Sequence, residues 1–397
     1  MRRSTPRRLH RLSSRARADL PILLVVVGAM IIGLLTGLAR IGYTMPAIVT
    51  ERVALHGPIL AAGVLGTLIA LERAVAISAV SGRGLTAAYL APLSSGLGTV
   101  LLLVVGATVP AQLLLALGAA GLLVVNLAMV RRQPSLDVAV MAVGAVFLLV
   151  ANAAWLAGRP IPLLVHWWIA FLVLTIVGER LELARVRRLG RGAATAFGIA
   201  VAVYIGAMVL IAFDADLGIR LSGVAMLALA GWLLRYDIAW MTIHRPGLPR
   251  FVAICLLAGY GWLVVGGWLA LANGMLWAGP TYDAMLHTLL LGFVFSMIFG
   301  HAPIIVPAIL GLRIGFHRFA YIPLALLQVS VAMRVLGDVG ADVQLRQLGG
   351  LLSVVAIILY ALTVVVLVIV PRRSSRPRAG RAGPSPRRST PSDAPER

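Results

Sequence analysis

The chain has 397 residues, of which 60% are hydrophobic and 12% are charged, and its mean hydropathy is +0.97. A soluble domain of this length would carry about twice that share of charged residues. Apolar runs long enough to span a bilayer recur along the chain, and in hydrocarbon they must be helical because each backbone N–H and C=O needs a partner within its own segment. The composition excludes an ordinary soluble protein and predicts an all-α membrane protein.

The formal net charge is +21, and all 35 basic residues are arginine. Assigned to loops, 29 arginines fall on the side that holds both termini, and 6 fall on or near the other side. This asymmetry is the positive-inside bias, so we predict cytoplasmic termini and a basic face that contacts anionic lipid headgroups of the bilayer. The tails lack interleaved aromatic residues, so the charge does not indicate a nucleic-acid partner.

In chain order, we predict a basic cytoplasmic tail at 1–19, a membrane domain at 20–370 and a disordered basic tail at 371–397. The stretch 301–318, with two prolines, is too short to span, so it should be a kinked extension of the tenth helix or a segment at the inner surface. The twelve predicted spans are 20–39, 54–79, 86–106, 109–130, 136–157, 161–179, 193–213, 218–235, 250–272, 281–300, 319–337 and 348–370.

An internal similarity links the second, sixth and tenth helices. The segments are LHGPILAAGVLGTLIALER (from Leu55), VHWWIAFLVLTIVGER (from Val165) and LHTLLLGFVFSMIFGH (from Leu286). Each opens with a histidine near the outer surface and ends with a polar pair at the inner surface. The period predicts three pseudo-repeated four-helix units, at about 20–130, 136–235 and 250–370. Transporter halves would more often give two units.

Three of these histidines, His56, His166 and His287, fall at similar depth, two to seven residues inside the outer helix ends. A single interfacial histidine is best explained by hydrogen bonds to headgroups or a neighbouring helix. Three at matched depth favour a ligand role, since neutral imidazole is a common metal and haem ligand. His301 lies 14 residues after His287, about 21 Å along an α-helix, so the two cannot share one metal. An α-helix would place them within about 40° on one face.

Carboxylates mark the inner ends of two of these helices, at Glu72 and Glu179. Ion pairs with neighbouring arginines and snorkelling side chains explain them without a special role. The functional alternative is an entry site for protons or ions that includes His301.

Twelve helices in three units of four, with histidines on the second, sixth and tenth, resemble subunit I of haem–copper oxidases. The sequence more closely resembles the NnrS family, haem- and copper-binding membrane proteins associated with nitric oxide tolerance. The sequence similarity, as distinct from the similarity of topology, lies in HGPILAAGVLGTLIALERAVA (His56–Ala76) and HTLLLGFVFSMIFGH (His287–His301). It implies a haem–copper-oxidase-like bundle, with His56 and His287 as axial ligands of a b-type haem. It also implies a metal site at His166, as a copper or second-haem ligand, with His301 as a further metal candidate.

The departures from the oxidase pattern limit that resemblance. The seventh span contains no histidine, the tenth has one histidine where oxidases have His-x-His, and no tyrosine lies near His166. These residues do not form a complete oxygen-reducing site, so the sequence argues against oxygen reduction and leaves open whether the protein is an enzyme.

Three hypotheses follow. The first is an NnrS-like haem and copper protein of the bacterial cytoplasmic (inner) membrane, acting in nitric oxide or nitrosative stress or related redox chemistry, with nitric oxide as a small gaseous ligand. The second is a secondary transporter that uses Glu72 or Glu179 as a coupling group. The third is a structural membrane subunit without a cofactor. A transporter predicts polar groups near the midplane, and the middles of the spans are nearly free of charge, which favours the first hypothesis.

Overall fold

The computed structural model describes residues 14–81, 87–184, 189–310 and 316–369. Within these ranges the protein is all-helical, and twelve helices are long and apolar enough to cross a membrane. The chain is therefore a multi-pass membrane protein, as its hydropathy predicted. The helices are α1 (Ser14–Arg40), α2 (Val53–Ala79), α3 (Leu90–Val104), α4 (Val109–Arg132), α5 (Leu136–Leu156), α6 (Ile161–Ala184), α7 (Arg191–Leu210), α8 (Ala215–Tyr236), α9 (Leu248–Asn273), α10 (Pro280–Pro307), α11 (Tyr321–Val339) and α12 (Val343–Ile369).

The first helix begins well before its predicted start. Helix α1 begins at Ser14, inside the stretch assigned to the tail, because arginine and alanine there are good helix formers that continue the helix beyond the apolar run. The segment Ser296–Leu310 continues α10 with Pro303 and Pro307 inside it, which agrees with the predicted extension of the tenth helix. Residues 1–13 and 370–397 of the predicted tails lie outside the described residues.

Helix α6 occupies the centre of the bundle. Every residue from Leu164 to Gly178 is buried, which explains why its sequence is apolar on all sides. It contacts α5, α7 and α8, and it also contacts α2 and α10, which contact each other. The three helices that carry the predicted ligand histidines therefore meet at the centre.

Small residues allow neighbouring helices to approach closely. A Cβ added at Gly118 of α4 would collide with Ser95 of α3, and one at Gly223 of α8 would lie 2.5 Å from the Gly267 carbonyl oxygen of α9. Membrane helices associate through such close packing, because the hydrocarbon around them is as apolar as their own side chains.

Helices α2 and α10 share an irregularity that α6 lacks. Each contains a π-helical segment shortly after its histidine, at Ile59–Leu65 after His56 and at Thr288–Phe295 after His287. Such π-turns occur frequently at functional sites. The two helices thus have matching geometry where they carry their histidines.

The positive-inside bias gives a topology that reporter fusions can test. Fusions after residues 132 and 190, which follow α4 and α6, should report a cytoplasmic location. Fusions after residues 215 and 340 should report an external one, because their flanking loops are poor in arginine. A clear inversion at any one of the four positions would contradict the predicted orientation.

Candidate functional site

The structure brings two of the three predicted ligand histidines together. His56, His166 and His287 lie three, five and seven residues after the first residue of their helices, which agrees with their predicted similar depth. The imidazole centroids of His56 and His287 are 6.4 Å apart, and their planes differ by 21°. Helices α2 and α10 therefore present a facing pair of imidazoles.

Hydrogen bonds fix the tautomer of both rings. His56 Nδ1 lies 2.7 Å from the Gly33 carbonyl oxygen of α1, and His287 Nδ1 lies 2.7 Å from the Asp283 carbonyl oxygen. A carbonyl oxygen only accepts hydrogen bonds, so Nδ1 must carry the proton in each ring. Nε2 is then unprotonated, with its lone pair available to a metal.

A cavity of about 130 Å³ lies around the two imidazoles. Its walls are mostly leucine and other apolar side chains from α1, α2, α6, α10 and α12. Its polar lining residues are His56, His287, Asp283, Tyr282, Ser353, Arg40 and Arg334. An apolar cavity with a few converging polar groups is the usual form of a cofactor or ligand site.

Glycines of α1 make room for the His56 ring. A Cβ added at Gly37 would lie 2.7 Å from His56 Cε1, and one at Gly33 would press against the Leu60 side chain. The Gly33 carbonyl is also the oxygen that holds His56 Nδ1. The orientation of this imidazole thus depends on the close approach of α1.

A network of charges surrounds His287. Asp283 Oδ1 lies 3.4 Å from His287 Nδ1, and its Oδ2 lies 2.5 Å from Arg334 Nη2 and 3.6 Å from Arg346 Nη2. Arg346 Nε is 2.9 Å from Asp338 Oδ1. The sequence prediction missed these four residues. Charged groups within apolar runs such as the one around Arg334 could have indicated them, since such residues mark functional sites by default.

The other two candidate histidines lie apart from this pair. His166 does not line the cavity, and among the described residues its buried Nε2 has no hydrogen-bond partner. His301 Nδ1 lies 2.7 Å from the Met297 carbonyl oxygen, 14 residues beyond His287. Within the described residues, no group of three or more His, Cys, Asp or Glu side chains is placed so that it could hold a metal ion.

Ion pairs join the central helices at the ends opposite their histidines. Arg73 Nη2 of α2 lies 2.5 Å from Glu179 Oε1 of α6 and 3.8 Å from Glu72 Oε1. Arg180 of α6 lies 3.9 Å from Asp237, and both side chains are buried. These contacts are the ion pairs expected for Glu72 and Glu179, and the alternative of proton or ion entry stays a prediction.

A family model described as a domain of unknown function, DUF8744, covers residues 19–369. The chain belongs to this family. The matched range takes in all twelve helices except the first turn of α1, so the family model includes the whole cavity. No curated protein and no solved structure matches the chain.

Glu72 and Glu179 should differ in their contribution to stability. Glu179→Gln removes the short contact to a buried arginine and should lower the free energy of unfolding by about 1–3 kcal/mol. Glu72→Gln should lower it by about 0–1 kcal/mol, because that pair is longer and more exposed. Thermal unfolding of the two variants in detergent measures the difference. Equal losses would contradict this assignment, and normal folding with loss of function would favour proton or ion entry.

Proposed function

We propose that the protein is an NnrS-like membrane protein that binds a b-type haem between α2 and α10, with His56 and His287 as axial ligands. The observation that carries the proposal is the facing pair of imidazoles, both in the Nδ1-protonated tautomer. When bound, the group would supply reversible one-electron chemistry at its iron. The residues of the chain would hold it, orient its ligands and exclude water.

The spacing of the rings suits two ligands on one iron. Metal–imidazole bonds are about 2.0 Å long, so two imidazoles that shared one iron would lie within several ångströms of each other. The observed separation is 6.4 Å. An aromatic pair without a metal also falls in the range of about 4.5–7 Å. The tautomers favour ligation, because each ring donates from Nδ1 to a backbone oxygen and leaves Nε2 as an acceptor.

The cavity lining also suits such a group. At about 130 Å³ the cavity is smaller than usual ligand pockets of about 300–1,000 Å³, so a flat macrocycle would enter only if lining leucines such as Leu34, Leu60 and Leu290 changed rotamer. Arg40 and Arg334 line it as well and could pair with the carboxylates of a haem. The only cysteine of the chain, Cys255, is buried and outside this lining, so the proposed haem is held without thioether bonds.

The remaining parts of the proposal rest on the resemblance in His56–Ala76 and His287–His301. They are a role in nitric oxide or nitrosative stress or related redox chemistry, and a copper site at His166 or His301. The buried Nε2 of His166, which has no hydrogen-bond partner, is available for such a site. The charge bias supports a place in the bacterial inner membrane with both termini cytoplasmic and anionic lipids at the inner face.

Visible spectra of histidine variants test the haem ligands. The wild-type protein, expressed with ample haem, should show the sharp reduced bands of a six-coordinate low-spin haem. His56→Ala or His287→Ala removes one axial nitrogen, so the spectrum should become high-spin or the haem should be lost. His166→Ala should keep the low-spin spectrum and lower any copper content.

The exposed His244 provides the control, since His244→Ala should change neither the spectrum nor the metal content. A well-folded wild-type protein that is colourless and free of metal would contradict the proposal. The transporter and structural hypotheses would then move ahead.

A pair of glycine variants on α1 tests the site without touching a ligand. Gly37→Ala places a methyl group 2.7 Å from His56 Cε1, so the ring must tilt and the low-spin haem signal should fall. Gly28→Ala is the matched control on the same helix, because its added Cβ meets nothing within 4 Å. The measurement is haem bound per protein. Equal haem content in the two variants would show that α1 does not orient His56.

A further inference from the structure

The two imidazoles of the proposed haem site differ in their partners. His56 Nδ1 lies against the neutral Gly33 carbonyl, with Thr36 Oγ1 at 3.4 Å. His287 Nδ1 lies against the neutral Asp283 carbonyl and also faces the carboxylate of the same residue, at 3.4 Å. Only the second ring therefore has an anionic partner beside its Nδ1.

Other charges hold this carboxylate in place. Arg334 Nη2 lies 2.5 Å from Asp283 Oδ2, and Arg346 connects the same oxygen to Asp338 at 3.6 and 2.9 Å. The Asp283 side chain is 11% exposed. The set contains two carboxylates and two guanidinium groups from α10, α11 and α12. Asp283 is thus an oriented, compensated anion beside His287.

An anion beside Nδ1–H has a defined effect on a metal-bound imidazole. It attracts the proton, raises the electron density on Nε2 and makes the ring a stronger donor. Ferric iron carries one more positive charge than ferrous iron, and in a medium of low dielectric constant a nearby negative charge stabilises the more positive state. The midpoint potential of the site should therefore fall.

We propose that Asp283 is a positioning residue that acts through His287 to hold the midpoint potential of the site low, with Arg334 orienting its carboxylate and both Arg334 and Arg346 opposing its charge. This inference rests on the proposed haem site. A purely structural role, in which Asp283 only ties α10 to α11 and α12, would affect folding but leave the potential unchanged.

A redox titration of Asp283→Asn in the detergent-solubilised, haem-loaded full chain tests the inference. The variant should keep a low-spin spectrum and raise the midpoint potential by at least about 59 mV, which is a tenfold change in the reduction equilibrium of a one-electron couple. Asp338→Asn is the matched control. It removes one negative charge from the same set, but none of the described contacts of Asp338 is to His287. The reduction equilibrium constant of this variant should therefore change by less than threefold.

A variant of opposite sign keeps the test decisive. Arg346→Gln leaves the carboxylate and removes a partly exposed positive charge, so it should lower the midpoint potential. If Asp283→Asn does not fold, the direction of the Arg346→Gln shift decides alone, and an unchanged or raised potential overturns the inference.

Two further outcomes would also overturn it. Equal shifts in Asp283→Asn and Asp338→Asn would mean that net charge acts without His287, and an unchanged potential in a folded Asp283→Asn would leave only the structural role. A wild-type protein that binds no haem would instead contradict the proposed function itself, so the two failures are distinguishable.

Discussion

A charge within a hydrocarbon layer is costly unless an opposite charge compensates it, and this constraint explains the arrangement of the polar residues. Arg73 and Glu179 connect α2 to α6, and Arg180 connects α6 to Asp237 at the end of α8. At the other end, Asp283 joins α10 to α11 and α12. Each pair draws its partners from different helices, so it also ties those helices together.

Five of the six arginines that depart from the positive-inside bias cap a helix end or lie at or beside the cavity. Arg52 donates to the last carbonyls of α3, and Arg220 donates to the last carbonyls of α9. Both therefore cap helix ends that would otherwise leave acceptors unsatisfied. Arg40, Arg334 and Arg346 lie at or beside the cavity. In this protein, the arginines that lie outside the basic side indicate the candidate site, whereas the overall charge bias indicates only the orientation.

The amino-acid sequence alone predicts the helices and the depth of the histidines, because hydropathy and position within a span are local properties. The facing of His56 and His287, which the family resemblance implies, is a property of the bundle. The Asp283 contacts could not be predicted, since Arg334 lies 51 residues further along the chain. Arg73 and Glu179 are separated by 106 residues. The sequence gives the position of each charged residue, and only the packing of distant helices shows which of these residues form ion pairs.

The π-helical segments change which way the side chains that follow them point around the axes of α2 and α10. A π-turn contains roughly one more residue than an α-turn. The residues that follow Thr288–Phe295 in α10 have therefore advanced less around the helix axis than they would in an α-helix. The π-turn therefore rotates His301 away from the position that an uninterrupted α-helix would give it relative to His287. The same holds for Ile59–Leu65 in α2. If the same residues formed an uninterrupted α-helix, the half of α2 that follows them would turn by about 100° and carry Arg73 away from α6.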